Sequence, residues 1–338
     1  MLGVAAKGQT SMLSVVTRRG VYVSRTRGRT WTRIGPGASV LAADPRRPRW
    51  MIAAGFRAIM TTIDAGATWR RARLPACALP VNGAVAAPDP RVAYLWGMGP
   101  VAADDPWLGG LFRTDDGGAT FRRIAQWDPE QLAVHPTDLA VAYAAGSEGL
   151  FRTDDGGTSW RNLAKDAAKE FAGVSIAPGD PDVVYAVAFT DHVVEATNGE
   201  SGPTQALLRS DDGGQTWRSQ LELFSVTSIA VDPRDADTVY LSGERTTAKR
   251  GIEVLLRSTD GGARWEERWS APVADTPTYA ESERTPPPLG YDAILLDPLA
   301  PGTLYRQSGD RVERSTDAGR TFRLLRVPGG PRSTPSRP

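Results

Sequence analysis

Residues 315–322 are Ser315-Thr316-Asp317-Ala318-Gly319-Arg320-Thr321-Phe322, and this stretch decides the fold because it recurs along the chain. It fits Ser/Thr-x-Asp-x-Gly-x-Thr/Ser-Trp/Phe, a pattern that we call the box. Four further copies fit, and two are degraded: Thr26 replaces the Asp of the first box, and Arg264 replaces the Thr of the sixth. The seven copies end at Trp31, Trp69, Phe121, Trp160, Trp217, Trp265 and Phe322.

A second signal precedes six of the boxes. An apolar run ends there in Asp-Pro, or in His135-Pro136 in the fourth unit. A strand-like run follows and leads through Gly-Leu-Phe-Arg or a relative into the box. Alternating β-branched and aromatic residues between turn residues indicate strands. Each unit therefore predicts four short strands, A to D, with the Asp-Pro turn between A and B and the box between C and D.

The box residues suit a tight hairpin. Glycine adopts a positive φ at no steric cost, and the Asp and hydroxyl side chains can pair with backbone groups of the turn. The aromatic residue can fill the gap between neighbouring sheets. Seven equivalent turns favour a structural role over the alternative that each Asp binds metal or substrate. The carboxylates given this role are Asp64, Asp116, Asp155, Asp212, Asp260 and Asp317.

The repeated octapeptide is identified as an Asp-box, or BNR, repeat, and the chain resembles the BNR/Asp-box propellers over residues 2–326. This superfamily includes sialidases, oligoxyloglucan-type hydrolases, the sortilin propeller and the photosystem II assembly factor. The resemblance implies an all-β, seven-bladed β-propeller with four-stranded antiparallel blades. Residues 1–328 then form one domain, followed by a disordered tail at 329–338. The predicted blades are 1–35, 36–74, 79–127, 130–164, 171–222, 225–269 and 289–326.

Composition narrows the classes of partner. The formal net charge is +1, which argues against binding nucleic acid or anionic membrane by bulk electrostatics. With one cysteine and two histidines, the chain has too few of these residues for an internal disulfide framework or a site built from cysteine or several histidine ligands. No apolar run reaches the ~20 residues of a membrane helix, and Met1–Val16 lacks a signal-peptide pattern. We expect a cytoplasmic monomer without cofactor or metal; removal of a leader would place it outside the cytoplasm.

Spacing predicts where the chain interacts. The distance from the Asp-Pro position to the box aromatic is 25 residues in minimal blades (44 to 69), but 32, 37 and 33 in blades three, five and six (89 to 121, 180 to 217, 232 to 265). The surplus falls between strands B and C, where it predicts loops at 96–110, 189–206 and 242–253, and further surplus falls between strand D and the next strand A. These connections share one face of a propeller, opposite the boxes. Since loops on a rigid scaffold carry function, we expect the binding site there.

The predicted ligand is a protein, a peptide or a carbohydrate, bound without catalysis. Aromatic and arginine side chains are typical interface anchors. The predicted binding residues are Trp96, Trp107, His192, Arg245, Tyr279, Arg284 and Tyr291.

The alternative is a glycoside hydrolase. A sialidase is disfavoured because the Phe/Tyr-Arg-Ile-Pro signature is absent before the first box and the strand A segments show no arginine triad. Another hydrolase would need opposed carboxylates about 6.5–9.5 Å apart for an inverting reaction. The candidates are Asp191 or Glu195 with Asp292, whose separation the sequence does not give.

Overall fold

The computed structural model describes most of the chain. The described residues are 2–7, 10–17, 19–38, 40–43, 49–55, 58–73, 83–86, 89, 91–97, 109–163, 168, 170–195, 201–223, 225–246, 251–272, 294–308 and 311–328. The predicted tail at 329–338 lies outside them.

The described residues form seven antiparallel sheets of four strands, each built from four consecutive strands of the chain. The prediction of an all-β, seven-bladed propeller is therefore confirmed. The strands are β1 (Leu2–Lys7), β2 (Thr10–Thr17), β3 (Gly20–Ser24) and β4 (Thr32–Gly35) in blade one; β5 (Val40–Ala43), β6 (Met51–Gly55), β7 (Ala58–Thr62) and β8 (Arg70–Arg71) in blade two; β9 (Gly83–Ala86), β10 (Ala93–Gly97), β11 (Gly110–Thr114) and β12 (Arg122–Ala125) in blade three; β13 (Gln131–Val134), β14 (Ala142–Gly146), β15 (Gly149–Thr153) and β16 (Arg161–Asn162) in blade four; β17 (Phe171–Ile176), β18 (Val184–Glu195), β19 (Ser201–Ser210) and β20 (Arg218–Leu223) in blade five; β21 (Ser225–Asp232), β22 (Asp235–Thr246), β23 (Gly251–Ser258) and β24 (Glu266–Pro272) in blade six; and β25 (Ile294–Leu296), β26 (Leu304–Ser308), β27 (Arg311–Ser315) and β28 (Arg323–Leu325) in blade seven.

The first strand of each blade lines the centre of the ring. β1 contacts β5, β5 contacts β9, and the series continues to β25, which contacts β1 again. Because the strands of a blade run up and down in order, the A–B turns and the boxes lie at one end of the ring. We call that end the box face and the opposite end the loop-bearing face. Within the described part of the chain, no helix is long and apolar enough to span a membrane.

The hydrophobic core lies between the blades, and the box aromatics help to build it. Trp69 of blade two packs with Val16 and Val21 of blade one, and its Nε1 donates to the Ile34 carbonyl at 2.6 Å. Trp217 packs in the same way in the cluster shared by blades four and five. The box aromatic of each blade thus packs on the preceding blade, which confirms that these rings fill the gaps between sheets.

The ring closes at a seam between blade seven and blade one, without exchange of a strand. Asp297 of blade seven is 1% exposed and accepts a hydrogen bond from Ser11 Oγ at 2.5 Å. The Arg27 guanidinium of blade one lies 3.6 Å from the same carboxylate. Trp31 packs there with Tyr305 and Leu325. Within the described residues, side-chain contacts rather than strand pairing therefore join blade seven to blade one.

Candidate binding face

The box carboxylates are occupied by the hydrogen bonds of their own turns. In blade five, Asp212 accepts from Ser210 Oγ at 2.7 Å, from Thr216 N at 2.9 Å and from Thr216 Oγ1 at 2.6 Å. These donors lower the pKa of Asp212 to about 2, because they stabilise the charged form. Gly214 adopts a φ of 87°, and a Cβ there would come within 2.6 Å of Leu163 Cδ1. The carboxylate is a structural group of the turn.

The other boxes repeat this geometry. Hydrogen bonds from Thr68 and Ser159 hold the pKa of Asp64 and of Asp155 at about 2, and the pKa of the remaining box carboxylates is also lowered. In the degraded first box, Thr26 Oγ1 accepts from Thr30 N at 2.8 Å and so replaces the missing carboxylate. The repeated carboxylates of the box face therefore stabilise the turns that contain them.

His135 takes the place of the Asp in an A–B turn. Its Nδ1 accepts from Asp138 N at 2.9 Å and from Thr137 N at 3.3 Å, as Asp232 Oδ1 accepts from Arg234 N at 2.9 Å in blade six. Burial lowers the pKa of His135. The structure thus shows this histidine as a neutral acceptor that caps a turn.

Substitution His135→Asp is expected to flatten the pH dependence of stability. The lowered pKa means that the unfolded chain binds more protons below about pH 6.5, so the contribution of His135 is complete above that pH and is lost as the pH falls through the folded pKa. An aspartate stays an acceptor to about pH 4. We expect the variant's Tm to exceed the wild type's by about 2 °C at pH 5 and to match it within about 1 °C at pH 7.5 in thermal scans. A variant whose Tm falls with pH as steeply as the wild type's would contradict this role.

A buried arginine connects blade three to the box of blade four. Arg113 is 9% exposed; it donates to Tyr94 Oη at 2.7 Å, to Asp115 Oδ1 at 2.8 Å and to the Gly156 carbonyl at 3.0 Å. Burial raises the pKa of Tyr94, so its hydroxyl stays protonated. The guanidinium thus joins two strands of its own blade to the next blade.

Related contacts recur around the ring, and we call them latches. Arg152 donates to the Gly213 carbonyl at 2.7 Å, and Arg314 donates to the Arg27 carbonyl at 3.1 Å across the seam. In blade two the donor is Trp50 Nε1, 3.2 Å from the Gly117 carbonyl. The box pattern does not predict the latches. Their signal in the sequence is the Arg of Gly-Leu-Phe-Arg, which recurs with a Tyr in the preceding strand B.

Extended hairpins dominate the loop-bearing face in blades five and six. The sequence predicted loops at 189–206 and 242–253, but β18 continues to Glu195 and β22 to Thr246. In blade five, β17 pairs with β18 up to Ala188 and β20 with β19 up to Gln205, while Val193–Glu195 still pairs with Ser201–Pro203. This two-stranded ribbon has no third strand among the described residues. The extra length therefore forms a projection rather than an irregular loop.

A small recess of about 10 Å³, roughly the space of one water molecule, lies between blades six and seven at the same face. Its walls are Ser242, Glu253, Val254, Leu255, Ile294, Arg306 and Gln307. The Arg306 Nε donates to Glu313 Oε2 at 2.6 Å, and its Nη1 lies 3.5 Å from Glu253 Oε1. The guanidinium also lies 3.7 Å from the ring centroid of Trp269, a cation–π contact. The recess thus combines an apolar wall with a neutralised, fixed cation.

Side-chain amides fix the inner strands near this face. Gln131 Oε1 accepts from Val174 N at 3.0 Å and so connects β13 to β17. The neighbouring Glu130 is exposed at the mouth of the ring, yet surrounding atoms desolvate its carboxyl and raise its pKa.

Among the described residues, no three His, Cys, Asp or Glu side chains come together in a group that could hold a metal ion.

Most predicted binding and catalytic residues lie outside the described part. Trp107, Tyr279, Arg284, Tyr291 and Asp292 fall in the ranges that the structure leaves out, and the side chains of Asp191, His192, Glu195 and Arg245 are likewise outside it. Trp96 requires a correction. Its side chain is only 7% exposed and packs with Leu111 and Leu132 between blades three and four. It stabilises the blade contact instead of forming an exposed anchor.

Comparisons with known proteins place the chain among propellers. No protein-family model matches it. Xyloglucanase Xgh74A of Acetivibrio thermocellus is 31% identical over 179 residues, which is 47% of this chain and 20% of that enzyme. A xyloglucanase of a Paenibacillus species is 31% identical over 176 residues, which is 46% of this chain and 16% of that enzyme. The chain spans far less than two thirds of the length of these curated relatives.

Solved structures share the fold. The GH74 xyloglucanase from Xanthomonas campestris superposes with a TM-score of 0.60 at 19% identity, over 92% of this chain and 50% of that one. YCF48 bound to D1 peptide superposes with a TM-score of 0.55 at 17% identity, over 91% of both chains. The chain thus shares the seven-bladed propeller fold of both solved structures.

Proposed function

We propose that this chain is a non-catalytic binding propeller that recognises a peptide or a segment of a protein on its loop-bearing face. The observation that carries the proposal is a structural difference between the box face and the loop-bearing face. The box carboxylates and His135 accept hydrogen bonds within their own turns, whereas the loop-bearing face holds the projecting ribbon of blade five and the small recess beside Arg306. Rigid propeller architecture with extra length on one face suits recognition.

The ribbon offers a specific means of binding a peptide. Its backbone lacks a third strand beyond Ala188 and Gln205 within the described residues. An extended peptide can add to such an edge through main-chain hydrogen bonds, while pockets beside it select side chains. YCF48, which resembles this chain over 91% of both lengths, is known in complex with a peptide. That likeness supports a peptide ligand here, although the two chains share only 17% identity.

The proposal is tested by shortening the ribbon with a turn that the protein already contains. Residues 189–205 are replaced by Gly-Ser-Glu-Gly, the tight B–C turn of blade four at 146–149. Peptides selected from a random library on the wild-type protein should bind the shortened variant at least about tenfold more weakly by fluorescence anisotropy. A Gln215→Ala control on the box face should bind them normally. Equal binding by the shortened variant would overturn the proposal.

A second candidate function, glycoside hydrolysis, is favoured by the 31% identity to xyloglucanases over about half of the chain. It predicts release of reducing sugar from xyloglucan by the purified protein. Loss of that activity in Asp191→Asn, Glu195→Gln or Asp292→Asn would assign the reaction to the predicted carboxylates. Activity of this kind would replace the non-catalytic proposal.

A further inference from the structure

The charges of this chain are strongly segregated along its length. Residues 1–74 contain 14 of the 40 basic residues and 2 of the 39 acidic residues, a net charge of +12. The remaining 264 residues contain 26 basic and 37 acidic residues, a net charge of −11. Residues 1–74 hold blades one and two, which we call the basic sector. Its exposed arginines include Arg19, Arg25, Arg27, Arg29, Arg33, Arg49, Arg70, Arg71 and Arg73.

The internal repeats show which partner the basic sector lacks. In blades three, four and five, the arginine after the box aromatic pairs with a carboxylate at the second position of the same box. These pairs are Arg122–Asp115 at 3.6 Å, Arg161–Asp154 at 3.4 Å, and Arg218–Asp211. Blade seven has Thr316 at that position and Arg323 after its aromatic residue, so it does not contain this pair, and neither does blade two.

In blade two, Arg70 follows the box aromatic, but the second position of the box is Ile63. Ile63 is 61% exposed. The nearby Asp64 already accepts from Thr62 Oγ1 at 2.7 Å and from Thr68 Oγ1 at 2.6 Å. No described carboxylate pairs with Arg70. Arg70 is therefore equivalent to arginines that have a carboxylate partner in three other blades, and the exposed Ile63 takes the place of that carboxylate.

Blade one forms the box turn without a box carboxylate. Its second box position is Arg25, and its third is Thr26, whose hydroxyl lies 2.8 Å from Thr30 Oγ1. The Thr26 hydroxyl makes hydrogen bonds of the turn that an aspartate makes in the other boxes, but it carries no negative charge. The exposed Arg25 and Arg29 of this box therefore have no box carboxylate beside them. Arginine is well suited to bind a carboxylate, because its planar guanidinium group can donate two parallel hydrogen bonds to the two oxygens.

We propose that the basic sector binds an acidic segment of another polypeptide, in which one carboxylate pairs with Arg70 as Asp115, Asp154 and Asp211 pair with the equivalent arginines of blades three to five. A polypeptide fits better than a nucleic acid, because Ile63 offers an apolar contact among the arginines, and an acidic segment can supply an apolar side chain to cover it. Exposed pairs contribute only about 0–1 kcal/mol each, so binding needs several of them and weakens with salt. This site is separate from the ribbon and the recess of the loop-bearing face.

The test restores the missing carboxylate from within the chain. The probe is a fluorescein-labelled dodecapeptide of Glu, Asp and Leu, titrated by anisotropy in low salt. Ile63→Asp recreates the box of blades three to five, and Arg70→Gln removes the cation; each should weaken binding about five- to tenfold. Arg161→Gln is the matched control, because Arg161 is already paired with Asp154, and it should change the affinity less than about twofold. The peptide should also dissociate when salt is raised.

Several results would overturn the proposal. Equal loss of binding in Arg161→Gln would show an effect of net charge alone. Tighter binding of a thymidine dodecanucleotide or of phosphatidylserine vesicles, also lost in Ile63→Asp, would assign the sector to phosphate. A salt-sensitive dimer in sedimentation that Ile63→Asp abolishes would make a second copy of this chain the occupant. The blade-five ribbon graft should leave binding of the acidic probe unchanged, which separates this site from the proposed peptide site.

Discussion

Substitution Asp297→Ala is expected to destabilise the protein by about 3 kcal/mol. The carboxylate is buried at the seam, where it accepts from Ser11 Oγ at 2.5 Å and from Leu299 N at 3.0 Å, and it lies 3.6 Å from the Arg27 guanidinium. Hydrogen bonds to charged groups contribute about 1.5–3 kcal/mol each, and their donors lose a partner when the acid is removed. Urea unfolding followed by tryptophan fluorescence measures the change.

The matched control is Asp232→Ala in blade six. Asp232 also caps an Asp-Pro turn, by accepting from Arg234 N at 2.9 Å, but each of its observed contacts lies within its own turn. Its loss should cost about 1 kcal/mol. The difference in free energy of unfolding between the two variants measures how much the Asp297 contacts across the seam stabilise the protein. Limited proteolysis should also cut blade one first in Asp297→Ala. Equal destabilisation by the two variants would mean that the seam contributes nothing through this carboxylate.

Substitution Arg113→Met should also cost about 3 kcal/mol. It leaves the hydroxyl of Tyr94 and the carbonyl of Gly156 without the donor that now reaches them at 2.7 and 3.0 Å. Buried polar groups left without a partner are costly. The double variant with Tyr94→Phe should recover about 1 kcal/mol, because the stranded hydroxyl is then gone. Thermal and urea unfolding check both values.

Arg122→Met provides the control for the latch. Both arginines pair with Asp115, but the Arg122 side chain is 56% exposed and that of Arg113 only 10%. Solvent screens the exposed pair, so its loss should cost no more than about 0.5 kcal/mol. If the two variants were equally destabilised, the latch would not depend on burial, and the connection between blades three and four would rest on the hydrophobic cluster alone.

The fold could be predicted because its determinants are local and repeated. The box brings an Asp, a Gly and an aromatic residue within eight positions, and each has a physical role that the structure shows: Asp212 accepts, Gly214 turns and Trp217 packs. Seven copies then fix the number of blades. His135 could also be understood in advance, because an imidazole nitrogen can accept the same backbone N–H groups as a carboxylate.

The latches and the placement of Trp96 could not be predicted in this way, because they depend on which side chain of a strand faces the next blade. Trp96 stood at the start of an inserted segment and looked like an exposed anchor, yet it lies within β10 and faces blade four. The ribbon of blade five was predicted as a loop from the surplus of residues between strands B and C, but the backbones of Gly202 and Pro203 pair with Val194 and Val193. The predicted site residues at 279–292 lie outside the described part and stay predictions.

The way in which the ring closes has a consequence for the order in which the chain can fold. Every sheet is assembled from a contiguous stretch, so its contacts can form as soon as that stretch has left the ribosome. From blade two onward, each box aromatic packs backward, on a blade already synthesised. Trp31 differs, because its partners Tyr305 and Leu325 are made last. The entropic cost of closing the ring therefore falls at the end of folding, in one step. During synthesis, the flank of blade one that later packs on blade seven is the surface most in need of protection.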